Sequence, residues 1–358
     1  MKPFEYNAPD SLDSACKAVD HQQRMALAGG TTMLDLMKLN VLTPEELVFV
    51  APVLDNSIAA SEQEVHIGAG YTMSDVASHN VIADRFPALR QSLILAASPQ
   101  LRNMATIGGN LLQRTRSAYY RHPDFPDDAE VNNGESNDSK PFGEGADGTH
   151  LAVLGNQGRL VGTYPGDLAI AVVAFNGQLE LSGPDGKRTV AARDFYRLPE
   201  EAFQYEPDLK PGELITRLTL PLNPATKNSQ YLKIRDRSSY AFALASAAVG
   251  LELDGKGSNA TIRSACVGLG GLAPYPWNSA AAVNALEGHP ATDDVFQSAA
   301  DVALADAQPP EGTAYRVDLA RRTLVRALRT IRDHGPLSDE QLWAQQHGRG
   351  LSLTLSSK

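Results

Sequence analysis

Cysteine is scarce in this chain. Among 358 residues only Cys16 and Cys266 carry a thiol, far apart in sequence. Two such residues cannot by themselves hold an iron–sulfur cluster or a structural zinc, and they provide no disulfide framework. The eight histidines show no metal-ligand spacing such as H-E-x-x-H. No apolar run approaches the length of a membrane span. The opening residues Met1 to Tyr6 lack the apolar core of a signal peptide, so the expectation is a chain without an export signal of its own. Positive charge is in deficit, with 32 Lys and Arg against 42 Asp and Glu and a net charge of −10. That balance argues against nucleic acid or an anionic membrane as a partner. No Ser–His–Asp or Cys–His constellation stands out. Chemistry is therefore expected from a bound organic cofactor.

What the chain has is a soluble globular composition, 42% hydrophobic and 21% charged, and enough length for two or three domains. It also has a glycine-rich turn, Leu27-Ala28-Gly29-Gly30-Thr31-Thr32-Met33-Leu34, between a short apolar run and a helical pattern. Glycines allow positive φ and close approach to a ligand, and a helix start favours negative charge, so the turn could wrap a phosphate. An ordinary strand-to-helix turn is the alternative. The turn is not the dinucleotide fingerprint G-x-G-x-x-G. A second glycine pair follows in Ala105-Thr106-Ile107-Gly108-Gly109-Asn110, trailed by Gln113 and Arg114. Asn110 can donate and accept, and an arginine fork suits phosphate.

Along the chain, Asp10 or Ser11 can cap a helix carrying Leu12, Ala15, Cys16 and Val19, and a β-α-β unit ends near Ala51. A strand from Glu64 leads to a helix capped by Ser74, and another helix spans Pro87 to Ala96. From His122 to Thr149 eight acidic residues face Lys140 alone without apolar periodicity, which reads as a long surface insertion. A helical run covers Asp167 to Phe175, and a hairpin turns at Gly183-Pro184-Asp185-Gly186. A strand spans Leu214 to Leu220, Asn223 to Ser229 reads as a linker, and strands follow at Tyr231 to Arg235, within Ala241 to Leu253, and at Thr261 to Leu269. Two or three helices then run to His334. This is an antiparallel sheet covered by helices, of α+β type. Beyond Pro336 only Leu342 and Trp343 could dock.

Asp167 stands where a helix begins, as an N-cap or as an acceptor for a ligand hydroxyl or ring N–H. Lys233, Arg235 and Arg237 alternate, so in a strand they share one face. That face is either solvated or supplies a cation beside a flavin ring, where it would stabilise the reduced anion. Tyr240 and Phe242 could form an aromatic wall or pack in the core. Both cysteines read as structural packing residues.

With Tyr164-Pro165-Gly166-Asp167 and Leu269-Gly270-Gly271-Leu272-Ala273-Pro274-Tyr275-Pro276-Trp277 added to the two glycine elements, the chain resembles the FAD-binding medium subunit of molybdenum hydroxylases. That family includes xanthine dehydrogenase and carbon monoxide dehydrogenase. The segments Gln113-Arg114-Thr115-Arg116 and Lys233 to Leu244 most resemble the flavin subunit of periplasmic-type aldehyde oxidoreductases. The resemblance implies an α+β chain: a two-lobed FAD-binding fold of the vanillyl-alcohol oxidase type, then an α+β C-terminal domain. The expected lobes are 1–55 and 56–222, the latter with an acidic insertion at 115–150. The C-terminal domain would span 228–335, followed by a tail at 336–358. It further implies that Ala28 to Leu34 and Gly109 wrap the FAD pyrophosphate. Thr106, Asn110 and Asp167 would meet the ribityl and adenosine portions, Ile215 would pack on the isoalloxazine, and Lys233 would sit near its polar edge. Leu27, Gln113 and Arg114 complete the set.

In that subgroup four cysteines of the insertion hold a [4Fe–4S] cluster. Here Ser117 takes the first position and the insertion has no cysteine, so no [4Fe–4S] cluster is expected in this chain. The partners implied are a small [2Fe–2S] subunit and a large molybdenum-cofactor subunit. The external acceptor implied is NAD, a quinone-like species, a ferredoxin or oxygen. The compartment implied is cytoplasmic, or periplasmic by co-export with a signal-bearing partner. Two rivals stand beside this reading: a self-sufficient flavin oxidoreductase of the same fold, and a cofactor-free scaffold.

Overall fold

The computed structural model describes residues 1–116, 120–121, 151–198 and 206–346. The acidic insertion from His122 to Thr149, together with Ser117, lies outside the described residues, as does the chain after 346.

The first lobe contains β1 (Glu5–Asn7), α1 (Leu12–Val19), β2 (Arg24–Leu27), α2 (Met33–Lys38) and β3 (Glu46–Phe49). The strands are parallel in the order β1-β3-β2. The crossover β2-α2-β3 is the β-α-β unit read from the sequence. Ser11 caps α1 by accepting from Ser14 N–H, and Ala15 and Cys16 face inward. The small core of this lobe, with Val48 and Val50, is completed by Leu214 from a distant strand.

The second lobe begins with β4 (Ile58–Ala60) and β5 (Glu64–Gly68). Among the described residues the helices that follow are α3 (Met73–Ser78), α4 (Asn80–Arg85), α5 (Pro87–Leu95), α6 (Pro99–Arg102), α7 (Ile107–Leu111) and α8 (Leu168–Ala174). Then come β6 (Gln178–Gly183), β7 (Gly186–Ala191), α9 (Ala192–Phe195), β8 (Tyr196–Arg197), β9 (Glu206–Pro207) and β10 (Leu214–Pro221). The antiparallel order β4-β5-β10-β6-β7 puts the last strand in the centre. The cap of α3 is Thr72, whose side chain accepts from Asp75 N–H, rather than Ser74. Ser74 lies inside the helix and donates to Asn103. Every residue of α8 is buried, so it is a core helix rather than an amphipathic one.

The stretch expected as a linker holds a short helix, α10 (Pro224–Lys227), capped by Asn223. Four antiparallel strands follow in order: β11 (Ser229–Ile234), β12 (Ala245–Asp254), β13 (Thr261–Gly270) and β14 (Trp277–Asn278). Helices α11 (Ala280–Leu286), α12 (Asp293–Ala303) and α13 (Tyr315–His334) complete the expected α+β layer. The last helix among the described residues, α14 (Asp339–Gln346), returns to the second lobe. Leu342 is buried there, and Arg90 holds both Asp339 carboxylate oxygens, while Trp343 remains half exposed. Among the described residues no helix is long and apolar enough to cross a membrane.

Candidate cofactor cleft

At the end of β2 the backbone turns through Gly30, whose φ of +69° is the left-handed region that glycine enters freely. Leu34 N–H donates to Gly30 O at 3.1 Å as α2 begins. Thr32 occupies the cap position without a side-chain cap bond, which leaves its hydroxyl uncommitted by the helix. Among the described residues no acceptor meets the N–H groups of Gly30, Thr31 and Thr32. Gly29 serves a different purpose. A Cβ there would stand 1.9 Å from Met104 O and 2.6 Å from its carbonyl carbon, so only glycine lets the two loops touch.

The second loop is pinned to that contact. Thr106 Oγ1 accepts from Gly109 N–H at 3.2 Å, capping α7, while Gly108 N–H donates to Ala69 O and Ile107 N–H to Tyr71 O, both at 2.9 Å. Gly109 thus has its N–H engaged, and its contribution to a ligand is the space left by a missing side chain. Asn110 donates through Nδ2 to Met73 Sδ at 3.2 Å. Its buried Oδ1 has no partner among the described residues, an acceptor of the kind that needs a donor from a ligand. Gln113 Nε2 donates to Asn110 O at 3.1 Å. Arg114, half-buried beside them, forms no hydrogen bond or ion pair among the described residues.

Asp167 precedes α8 but makes no cap bond. Its carboxylate instead accepts from Tyr231 Oη on Oδ1 and from Lys233 Nζ on Oδ2, both at 2.7 Å. Lys233 also donates to Leu95 O at 3.2 Å. The strand face expected to carry three cations does not exist, because β11 ends at Ile234 and only Lys233 lies in it. That lysine is enclosed on the inner side of β11 rather than solvated. Burial, aided by the neighbouring Asp167 charge, raises the Tyr231 phenol far above its usual range. It therefore acts as a donor that holds the carboxylate. Ile215 lies beside a β-bulge in β10, where Thr216 is the extra residue opposite Leu181 and Glu180. A bulge re-aims the side chains next to it.

These elements enclose one cleft of about 1400 Å³. Compact pockets for drug-sized ligands run to roughly 300–1,000 Å³, so this space suits a long ligand. Of the sixteen residues expected from sequence, fourteen wall this cleft, and Leu34 and Lys233 do not. Leu34 packs under Gly30, and Lys233 stands behind Asp167. Sequence reading missed the end of α1 at Val19 to Gln22 and the loop Leu209 to Glu213, which also line it. The dipeptide Pro211-Gly212 was a turn signal that could have drawn attention to the second of these. Tyr240 and Phe242 line the cleft with 55% and 43% exposure, which rules out core packing for both. Arg116 stacks its guanidinium 3.6 Å over the Tyr120 ring at the same mouth.

Backbone donors and an arginine without partners among the described residues suit a phosphate group, and the Asn110 oxygen, likewise without a partner there, suits a polyol or ring N–H. The cleft therefore fits an extended dinucleotide such as FAD. Comparison with known proteins agrees. Residues 2–223 match the FAD binding domain in molybdopterin dehydrogenase, and residues 230–331 match the CO dehydrogenase flavoprotein C-terminal domain. The chain belongs to the FAD-binding medium subunits of molybdenum hydroxylases. It is 35% identical over 338 residues to the aldehyde oxidoreductase FAD-binding subunit PaoB of Escherichia coli, covering 93% of this chain and 99% of that one. It is 28% identical over 333 residues to the carbon monoxide dehydrogenase medium chain of Afipia carboxidovorans, covering 91% and 95%. The structure of reconstituted CO dehydrogenase from Oligotropha carboxidovorans superposes with a TM-score of 0.70 at 26% identity, covering 93% of this chain and 99% of that one.

Proposed function

We propose that this chain carries FAD as the electron-transfer subunit of a three-subunit molybdenum hydroxylase. A small [2Fe–2S] subunit would supply electrons released at a large molybdenum-cofactor subunit, and an external acceptor would collect them here. The observation that carries this reading is the convergence on one cleft of two glycine loops, an arginine and a buried acceptor without partners among the described residues, and the Asp167 that holds Lys233. FAD, when bound, supplies the redox chemistry that accepts electrons singly and passes them on in pairs. The chain's own residues bind and orient. Gly30 to Thr32 present backbone N–H groups, and Arg114 presents its fork, to the pyrophosphate. Asn110 accepts from the ligand, Ile215 offers an apolar surface, and Asp167, held by Tyr231 and Lys233, contributes to the cleft wall. Leu27, Ala28, Met33, Thr106, Gly109 and Gln113 complete the wall around them.

NAD, a quinone-like species, a ferredoxin and oxygen are the acceptor classes to test. Both a cytoplasmic site and a periplasmic one reached by co-export remain open to the proposal, because any export signal can reside on a partner. The acidic insertion is proposed as a docking element for the [2Fe–2S] subunit. Its deletion should weaken assembly while FAD is retained, and unchanged assembly would reject that role.

The decisive test is the visible spectrum of the purified chain with iron assayed on the same sample. Two flavin bands with FAD near one per chain and no iron support the reading, including the absence of a [4Fe–4S] cluster. A colourless protein favours the scaffold reading, and turnover of an organic substrate by the isolated chain favours the self-sufficient enzyme. Iron at about four atoms per chain, one cubane cluster's worth, would overturn the prediction for the insertion.

A further inference from the structure

One side chain holds both ends of the loop that enters β10, and Arg197 pairs with Asp208 as well, at 3.1 Å. Arg188, in β7, donates through Nε and Nη2 to the two carboxylate oxygens of Glu213, at 2.7 and 2.8 Å. Its Nη1 donates to Asp208 Oδ2 at 2.7 Å, and Nη2 also donates to the Asp208 carbonyl at 2.5 Å. Glu213 in turn accepts from Lys210 N–H at 2.7 Å. One guanidinium therefore grips both ends of the segment Leu209 to Glu213, which walls the cleft. Arg188 itself does not line it.

That segment reaches across to the first lobe. Gly212 has φ of +76°, and a Cβ there would stand 2.7 Å from Pro184 Cδ and 3.0 Å from Asp20 Cβ. Asp20, which Gly212 faces, lines the cleft together with His21 and Gln22 as one part of what that lobe contributes to the wall. Immediately after the strap, Leu214 is buried in the core of the first lobe beside Ala15 and Cys16. The strap is thus a buckle between lobes, closed by a planar fork that binds two carboxylates at once. Lysine, a single point charge, cannot reproduce that geometry.

We infer that the strap closes over the adenosine half of the cofactor, with Arg188 as the positioning residue that sets how firmly FAD is held. This rests on the FAD reading above. The phosphates lie in the middle of FAD, and the glycine turns take them. The isoalloxazine belongs with Ile215, on the side where Lys233 stands behind Asp167. Among the rest of the wall, Asp20 to Gln22 and Leu209 to Glu213 are the two stretches that this buckle brings together, and adenosine is assigned to them.

The experiment titrates the flavin-free full chain with FAD and, separately, with FMN, which lacks the adenosine half. Melting temperature is recorded for each variant. Wild type should bind FAD well ahead of FMN. Arg188→Met should lower FAD affinity by about tenfold or more, the scale of a lost bidentate charge-assisted clamp, while FMN affinity stays as in wild type. Arg188→Lys should recover only part of the loss. Gly212→Ala, which displaces the strap directly, should give the same selective loss. Should Arg188→Met fail to fold, Glu213→Gln offers the comparison with half of the clamp intact. An unchanged preference for FAD in these variants overturns the inference, and so does an equal weakening of both flavins, the sign of a general structural defect. Wild type binding neither flavin is a separate result, because it removes the FAD reading itself.

Discussion

Lys233 Nζ lies 2.7 Å from Asp167 Oδ2, with side chains only 1% and 5% exposed. The pair ties the C-terminal sheet, through β11, to the start of α8 in the second lobe. Removing one partner from such a site leaves a charge without solvent or counter-ion. Lys233→Met should destabilise the chain by about 3–5 kcal/mol, whereas Asp167→Asn combined with Lys233→Met should recover much of that loss because neither charge then remains. Urea unfolding midpoints give both numbers. A double variant as unstable as the single one would mean that the lysine matters for packing rather than for charge.

Gly29→Ala tests the contact between the two glycine loops. The added methyl would meet Met104 O at 1.9 Å, and backbone on both sides must shift. A stability loss of about 1–3 kcal/mol is expected from overpacking, with loss of bound FAD. Gly257→Ala is the control. Its φ of +61° strains an alanine, yet nothing lies within 4 Å, so it should cost about 1–2 kcal/mol and leave flavin content unchanged. Full flavin in Gly29→Ala would show that the loops need not touch.

The Arg188 clamp carries a pH dependence of definite sign. Its guanidinium, the first cause in each case, holds the Asp208 and Glu213 carboxyls below their ordinary values of 3.8 and 4.5. Groups with depressed pKa stabilise the fold fully above their unfolded values, and that contribution is lost as pH falls through the folded values. Stability should therefore be insensitive to these two acids above pH 4.5 and should fall below it. In Arg188→Met this part of the acid limb should flatten. The same slope in both proteins, measured by urea midpoints from neutral pH downward, would place the acid sensitivity elsewhere.

Both thiols should be inert in the folded chain. Cys16 and Cys266 are 2% and 3% exposed, and burial pushes the Cys266 thiol up to about 12. Since the thiolate is the reactive form, an aromatic disulfide reagent at pH about 8 should label neither until denaturant is added. Rapid labelling of the native protein would contradict the burial of one of them.

Much of this protein was fixed locally. The glycine turns, the helix at Pro87, the hairpin at Pro184-Asp185 and the long strands near Val249 and Val267 follow from turn chemistry and apolar patterning that act over a few residues. So did most of the cleft, because the two glycine loops are short contiguous motifs. Only the tertiary structure could decide the rest. Central β10 pairs with β5 and β6, strands more than a hundred and some thirty residues earlier, and no local pattern encodes such a register. Lys233 reads as one of three alternating cations, solvated or beside a ring, until α5 and Asp167 cover it, since burial depends on what packs from elsewhere. Asp167 reads as a helix cap until Tyr231 and Lys233, arriving from another domain, take both of its oxygens. Tyr240 and Phe242 read more readily as core than as wall, because an aromatic side chain is apolar in either place and only what packs around it decides whether it is enclosed. The buckle at Arg188 had no signature at all: its two partners, Asp208 and Glu213, are ordinary charged residues, brought together only when the hairpin folds against the loop before β10.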